Sequence, residues 1–274
     1  MRYIYMHNFR GFSDTLVPLS QTSFLVGENS TGKSSFLKLL YLLSRPHFWF
    51  SPDFTLHEDS DLGGFQDIVS AWAVDKAYFQ IGVLATRNAT RNNKRSGLDA
   101  VFTAHTFVEK DGAPELSRYL HFADKKITTL LFVGKETRYK TVEVQRNFSS
   151  ETEILDYFRD IVSADRGDTR GFSRFPKGIP PRPPLPIAVA ILRSMEQGKK
   201  ITEVAFHGEV PYAADLTWIA PIRTKPQRFY DGLKRGFSPE GDHTPSVLRH
   251  FLKTRGYSKK FRRETARDSS RQQM

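Results

Sequence analysis

Gly27-Glu28-Asn29-Ser30-Thr31-Gly32-Lys33-Ser34 fits the pattern G-x-x-x-x-G-K-[ST] without a mismatch. A nucleoside triphosphate needs many hydrogen-bond donors around its β-phosphate. A loop with no bulky side chain at Gly27 and Gly32 can turn its amides inward to supply them. The helix that follows adds unpaired N–H groups and the positive end of its dipole. Lys33 would place a point charge between the β- and γ-phosphates. The Ser34 hydroxyl would hold Mg2+, and Ser35 would reach the α-phosphate. The whole run from Gly27 to Ser35 is therefore the candidate phosphate site, for ATP or GTP.

The flanks decide how such a loop would be held. Thr22–Val26 is a compact apolar run ending at Gly27 and reads as a strand. Ser34–Ser44 is apolar on most faces and reads as a buried helix that stops near Arg45-Pro46, because proline disfavours helical geometry in the residue before it. Arg2–Phe12 alternates imperfectly and reads as an opening strand. Past Gly63-Gly64, the segments Ala77–Ala85, Ala100–Val108, Ser117–Phe122, Ile127–Val133 and Tyr139–Gln145 are rich in β-branched and aromatic residues. Their short polar connectors suit an antiparallel meander, a β-subdomain over about 76–146. Arg87–Asp99 reads as a long hairpin tip. Ser150 and Glu153 have capping-box spacing, and Ile154, Leu155, Phe158, Ile161 and Val162 share a helical face, which predicts a helix over 151–163. Ala164–Pro186 is a proline-dense, stiff connection. Ile187–Gln197 and Ser246–Arg255 read as helices, and Leu216–Ala220 as a buried strand.

Composition narrows the class. The chain has 274 residues, 39% hydrophobic and 26% charged, with 22 Phe, enough aromatic material to exclude a wholly disordered chain. There are no cysteines, which excludes disulfide scaffolds, thiol catalysis and cysteine-bound zinc or iron–sulfur sites. No apolar run reaches the roughly 18–20 residues that cross a bilayer, and the start lacks a secretory pattern. A cytoplasmic protein with no membrane partner is the expectation. The formal net charge is +11, and between residues 253 and 274 eight basic side chains face two acidic ones. Such a tail attracts polyanions without reading sequence.

Asn8-Phe9-Arg10-Gly11-Phe12 followed by Phe24-Leu-Val-Gly-Glu-Asn29-Ser-Thr-Gly-Lys-Ser-Ser35 resembles the start of the RecF/SMC/OLD-type ABC ATPases. Those proteins open with a strand containing N-F-R-x-F and continue with a G-x-N-x-x-G-K-S loop. Gly64–Val69, Trp218–Arg223 and Ser238–Leu248 are similar to later segments of that group. The resemblance implies an α/β fold: a P-loop NTPase lobe with a mixed sheet and the antiparallel β-subdomain. Residues 1–256 would form the N-terminal lobe of an ATPase head, and 257–274 a basic, disordered tail.

The same resemblance implies ATP and Mg2+ as cofactors, bound by Gly27, Glu28, Asn29, Ser30, Thr31, Gly32, Lys33, Ser34 and Ser35. Gln66 would be the Q-loop counterpart that senses Mg2+ and the γ-phosphate, and Arg10 would lie near the nucleotide. It further implies action on DNA or in phage defence, with DNA and a second ATPase head as partners. Hydrolysis needs an apolar strand ending in Asp-Glu to orient Mg2+ and the attacking water. The runs Leu130–Val133, Ile187–Leu192 and Trp218–Ala220 do not end that way, and the LSGGQ-like signature is absent. The expectation is therefore an N-terminal portion that needs a C-terminal portion for turnover. Two other readings stand beside it: a self-contained P-loop kinase, and a non-catalytic basic nucleic-acid-binding protein.

Overall fold

A computed structural model describes residues 1–28, 31–50, 52–55, 61–91, 94–164 and 170–196. All of them lie in the first of the chain's two units, Met1–Asp215. The elements are β1 (Arg2–His7), β2 (Thr15–Leu19), α1 (Lys33–Ser44), α2 (Pro46–Phe50), α3 (Phe65–Ile68), β3 (Tyr78–Arg91), β4 (Lys94–Lys110), β5 (Ala113–Ala123), β6 (Lys126–Val133), β7 (Glu136–Glu143), α4 (Glu151–Ala164), β8 (Ser173–Arg174) and α5 (Leu185–Glu196).

The strands form one eight-stranded sheet in the order β2-β1-β3-β4-β5-β6-β7-β8. Every pairing among them is antiparallel. This corrects the expected division into a mixed sheet and a separate β-subdomain. β1 pairs with β3 through Ile4↔Val83 and its neighbours, so the opening strand joins the meander directly. Two-residue turns carry the meander. At Asp111-Gly112 both residues have positive φ, 52° and 79°, the geometry a tight hairpin needs to match strand twist. Gly134 supplies the positive φ at the β6–β7 turn.

Strand alternation sends two aromatic sets to opposite faces. On one face Tyr5, Phe102 and Phe122 pack under α4. Phe158 meets Tyr5 edge-on at 4.9 Å and Phe102 at 5.1 Å between ring centroids. Gly82 in β3 makes room for that contact, since a Cβ there would lie 2.7 Å from the Thr103 carbonyl and 3.3 Å from the Phe158 ring. The opposite face carries Phe79, Phe107, His105, Tyr119 and Leu130. α2 covers it through Trp49, whose ring lies 5.1 Å from His105, and α5 through Leu185, Ala188 and Leu192. The start of α4 is fixed as its sequence requires: Glu153 N–H donates to Ser150 Oγ at 3.2 Å and Ser149 N–H to the Glu153 carboxylate at 2.8 Å.

Several sequence expectations change. Thr22–Val26 forms no strand. Residues 20–28 are all exposed, with Phe24 86% and Val26 91% open to solvent, and the strand that pairs with β1 is Thr15–Leu19 instead. α1 ends at Ser44 with Arg45 extended, as expected before Pro46, but Pro46 also begins a second helix, α2, where a first-turn proline loses no helical hydrogen bond. The Arg87–Asp99 tip is mostly strand, with pairing as far as Arg91↔Lys94. The proline-rich connection contributes β8 at the edge beside β7. The expected strand at Leu216–Ala220, the helix at Ser246–Arg255 and the basic tail lie outside the described residues.

Candidate nucleotide-binding site

The glycine-bounded loop leads into α1 through Gly32, which adopts φ +89°, a conformation that L side chains rarely take. A Cβ at Gly32 would also meet the Phe12 ring at 3.0 Å. At the other end Gly27 has φ +154°, and a Cβ there would lie 3.0 Å from Thr31 Oγ1. Phe36 N–H donates to the Gly32 carbonyl at 2.9 Å, the first bond of the helix. The amides of Lys33, Ser34 and Ser35 therefore precede the helical ladder. The helix start has no side-chain cap and no acidic residue in its first turn. A positive helix end is thus left without a carboxylate of its own.

Lys33 curls back over the loop. Its ammonium donates to the carbonyls of Gly27, at 2.8 Å, and of Glu28, and lies 3.3 Å from Thr31 Oγ1. Thr31 Oγ1 donates in turn to the Glu28 carbonyl at 2.9 Å. Ser34 is exposed and Ser35 half-buried in the first turn of α1. Asn29 and Ser30 lie outside the described residues.

The Asn8–Phe12 segment explains itself physically once folded. Phe9 and Phe12 exchange backbone hydrogen bonds at 3.1 and 2.8 Å, closing a tight turn in which Arg10 takes φ +50°. Asn8 Nδ2 donates to the Asp75 carbonyl at 2.9 Å and so ties the end of β1 to the approach to β3. Phe12 packs against Gly32 and lies 6.4 Å from Phe36 between ring centroids, forming a wall of the loop. Arg10 reaches the start of α1: Nη1 lies 3.5 Å from Ser35 Oγ, while Nη2 donates to the Leu62 carbonyl at 2.8 Å. Its buried Nε has no hydrogen-bond partner among the described residues. Sequence reasoning did not foresee Phe12 as a loop wall. The apolar residue two positions after Arg10 was its only signal.

Gln66 lies exposed on α3 and donates to the Glu109 carboxylate at 2.6 Å. The α3 turn joins two regions: Arg10 N–H donates to the Ile68 carbonyl at 2.7 Å, and Phe65 N–H to the Gly112 carbonyl at 2.9 Å. Among the described residues no group of three or more His, Asp or Glu side chains converges as a metal site. A Mg2+ ion here would rest on the Ser34 hydroxyl together with the nucleotide's own oxygens, which suits a hydroxyl and bare amides.

A glycine loop, an uncapped helix start and one lysine define the class as a P-loop nucleotide-binding protein. A family model for the AAA ATPase domain matches residues 1–166, well over half of the chain, and the chain belongs to that family. Members of such a family bind ATP, usually with Mg2+. No match was found among curated proteins or among solved structures. No helix among the described residues is long and apolar enough to cross a membrane.

Proposed function

We propose that the chain binds Mg-ATP through Gly27–Ser35 as part of an ATPase head of the RecF/SMC/OLD type. The observation that carries this reading is the bare start of α1 beside the Lys33 ammonium: donors and positive charge with no acid of their own. The triphosphate's oxygens take over the role that the Gly27 and Glu28 carbonyls now serve for Lys33. Amides of the loop would cradle the β-phosphate, and the Ser34 hydroxyl would hold the metal ion. The orphaned Nε of Arg10 supplies a further donor beside Ser35. Gln66 would act as the Q-loop counterpart by way of α3, whose Ile68 carbonyl accepts from Arg10 N–H.

Turnover needs a second ATPase head or a C-terminal portion to supply what the chain lacks, because no apolar run of the sequence ends in the acidic pair that orients water. The N-F-R-G-F and G-E-N-S-T-G-K-S resemblance supports action on DNA or in phage defence as part of this reading. Titration calorimetry of Mg-ATP into the chain tests the core of this proposal. Wild-type protein gives a saturable signal and Lys33→Ala removes it. Absence of heat with folded wild-type protein overturns the proposal. Rapid ATP turnover by the chain alone, abolished by Lys33→Ala, would refute the claim that the chain is incomplete for hydrolysis.

A further inference from the structure

Ten lysines and arginines stand against four acidic residues in the stretches 113–143 and 170–182, which build β5 to β8 and lead toward α5. Their placement is ordered. The register runs Arg118↔Leu131, Leu131↔Arg138 and Arg138↔Arg174 across β5, β6, β7 and β8. Directly paired residues of an antiparallel sheet share a face, so the three arginines form one row. At about 4.8 Å per strand, Arg138 lies one spacing from Arg174 and two from Arg118.

Lys140, two residues along β7, extends the same face, with its ammonium 5.7 Å from the Phe172 ring centroid. Val133 and Val142 share that face and are 47% and 44% exposed. Like charges facing each other across adjacent strands destabilise a sheet. The carboxylate between Arg138 and Arg174 is Glu136, at 3.6 and 3.3 Å, one negative charge for two guanidinium groups. Arg174 keeps 70% of its side chain open to solvent.

We propose that this β7–β8 face binds the phosphodiester backbone of a nucleic acid, with Arg138, Lys140 and Arg174 as the contacting cations; Arg118 is buried, 7% exposed, and takes no part in the contact. The cations line two adjacent strands rather than gathering into a pocket, which suits a polymer of regularly spaced anions over a small anion. Guanidinium forks match phosphate oxygens in pairs. The exposed valines and the half-buried Phe172 beside the cations give a strand's sugars and bases apolar surface. This deepens the reading of the chain as a head that acts on DNA, and rests on that reading only for the choice of polymer; the phosphate loop takes no part.

The test is fluorescence anisotropy of the full chain with single-stranded and double-stranded random-sequence oligonucleotides, repeated over a series of salt concentrations. Wild-type affinity falls steeply with salt. Arg138→Glu/Arg174→Glu lowers the slope of log affinity against log salt by about 2 and weakens binding at least about tenfold. Lys140→Glu lowers the slope by about 1 and provides the reading if the double variant does not fold. Arg138→Lys/Arg174→Lys keeps the slope. All folded variants retain Mg-ATP binding.

An unchanged slope in the charge-reversed variants overturns the proposal. So does loss of binding on Lys260→Gln/Arg262→Gln/Arg263→Gln, which leaves the face intact, or equal competition by polyglutamate. Failure of wild-type chain to bind Mg-ATP, with oligonucleotide binding intact, sinks the nucleotide reading and leaves this one standing.

Discussion

Gly32 shows how much a single position can carry. Its φ of +89° strains any other residue, and the Phe12 ring occupies the space a Cβ would need. Gly32→Ala is expected to cost about 1–3 kcal/mol of stability and to weaken Mg-ATP binding. Adding Phe12→Ala relieves the collision but not the backbone strain. A thermal-melt double-mutant cycle should therefore give a coupling energy that offsets part of the single-variant loss. His105 makes a second, independent prediction. It is fully buried, neither ring nitrogen has a partner among the described residues, and burial together with nearby His121 lowers its pKa to about 3. In the unfolded chain the imidazole titrates near 6.5, so the unfolded state binds the extra proton first as pH falls. This contribution to stability is complete above pH ~6.5 and is lost toward pH ~3, at about 1.4 kcal/mol per pH unit. Melting temperatures measured from pH 7 to pH 4 should fall less steeply in His105→Phe than in wild type. Equal slopes would show that another group controls acid sensitivity.

Among the elements, those with strong periodicity were legible. α1, α4 and α5 stand within two residues of their expected bounds, because their apolar faces and caps are written locally. Ser150→Ala should cost about 1 kcal/mol by removing the acceptor for Glu153 N–H, measurable as a lower melting temperature. Gly82→Ala is a sharper test of the packing between β3 and α4, since the added methyl would press on the Thr103 carbonyl and on Phe158. A loss of about 1–3 kcal/mol is expected, and a neutral result would mean that α4 sits further from the sheet. The misreadings have physical causes too. Thr22–Val26 has strand composition, yet a strand exists only through its pairing, and pairing is not encoded in five residues. The two residues of β8 carry no periodic signal at all and are ordered by register with Arg138 and Tyr139. α2 has no sequence signal of its own, since Pro46 both ends α1 and suits a first helical turn.

At the largest scale the described residues allow, one sheet joins the opening strand to the meander, and the turn after β1 meets the loop-bearing helix through Phe12 and Arg10. The loop itself was readable at once from its glycines and lysine. The wall and braces around it, Phe12, Arg10 and the Leu62 carbonyl, come from distant sequence and emerge only when β1 turns back toward α1. That arrangement leaves the loop anchored firmly on its α1 side, while residues 20–28 on the other side stand wholly in water. Exposed backbone of this kind is what proteases grip. Brief digestion with chymotrypsin should nick the chain first after Phe24, giving two fragments that stay associated through the pairing of β1 with β3. Saturating Mg-ATP should slow that cut, so the scissile bond would serve as a built-in reporter of whether the loop is filled.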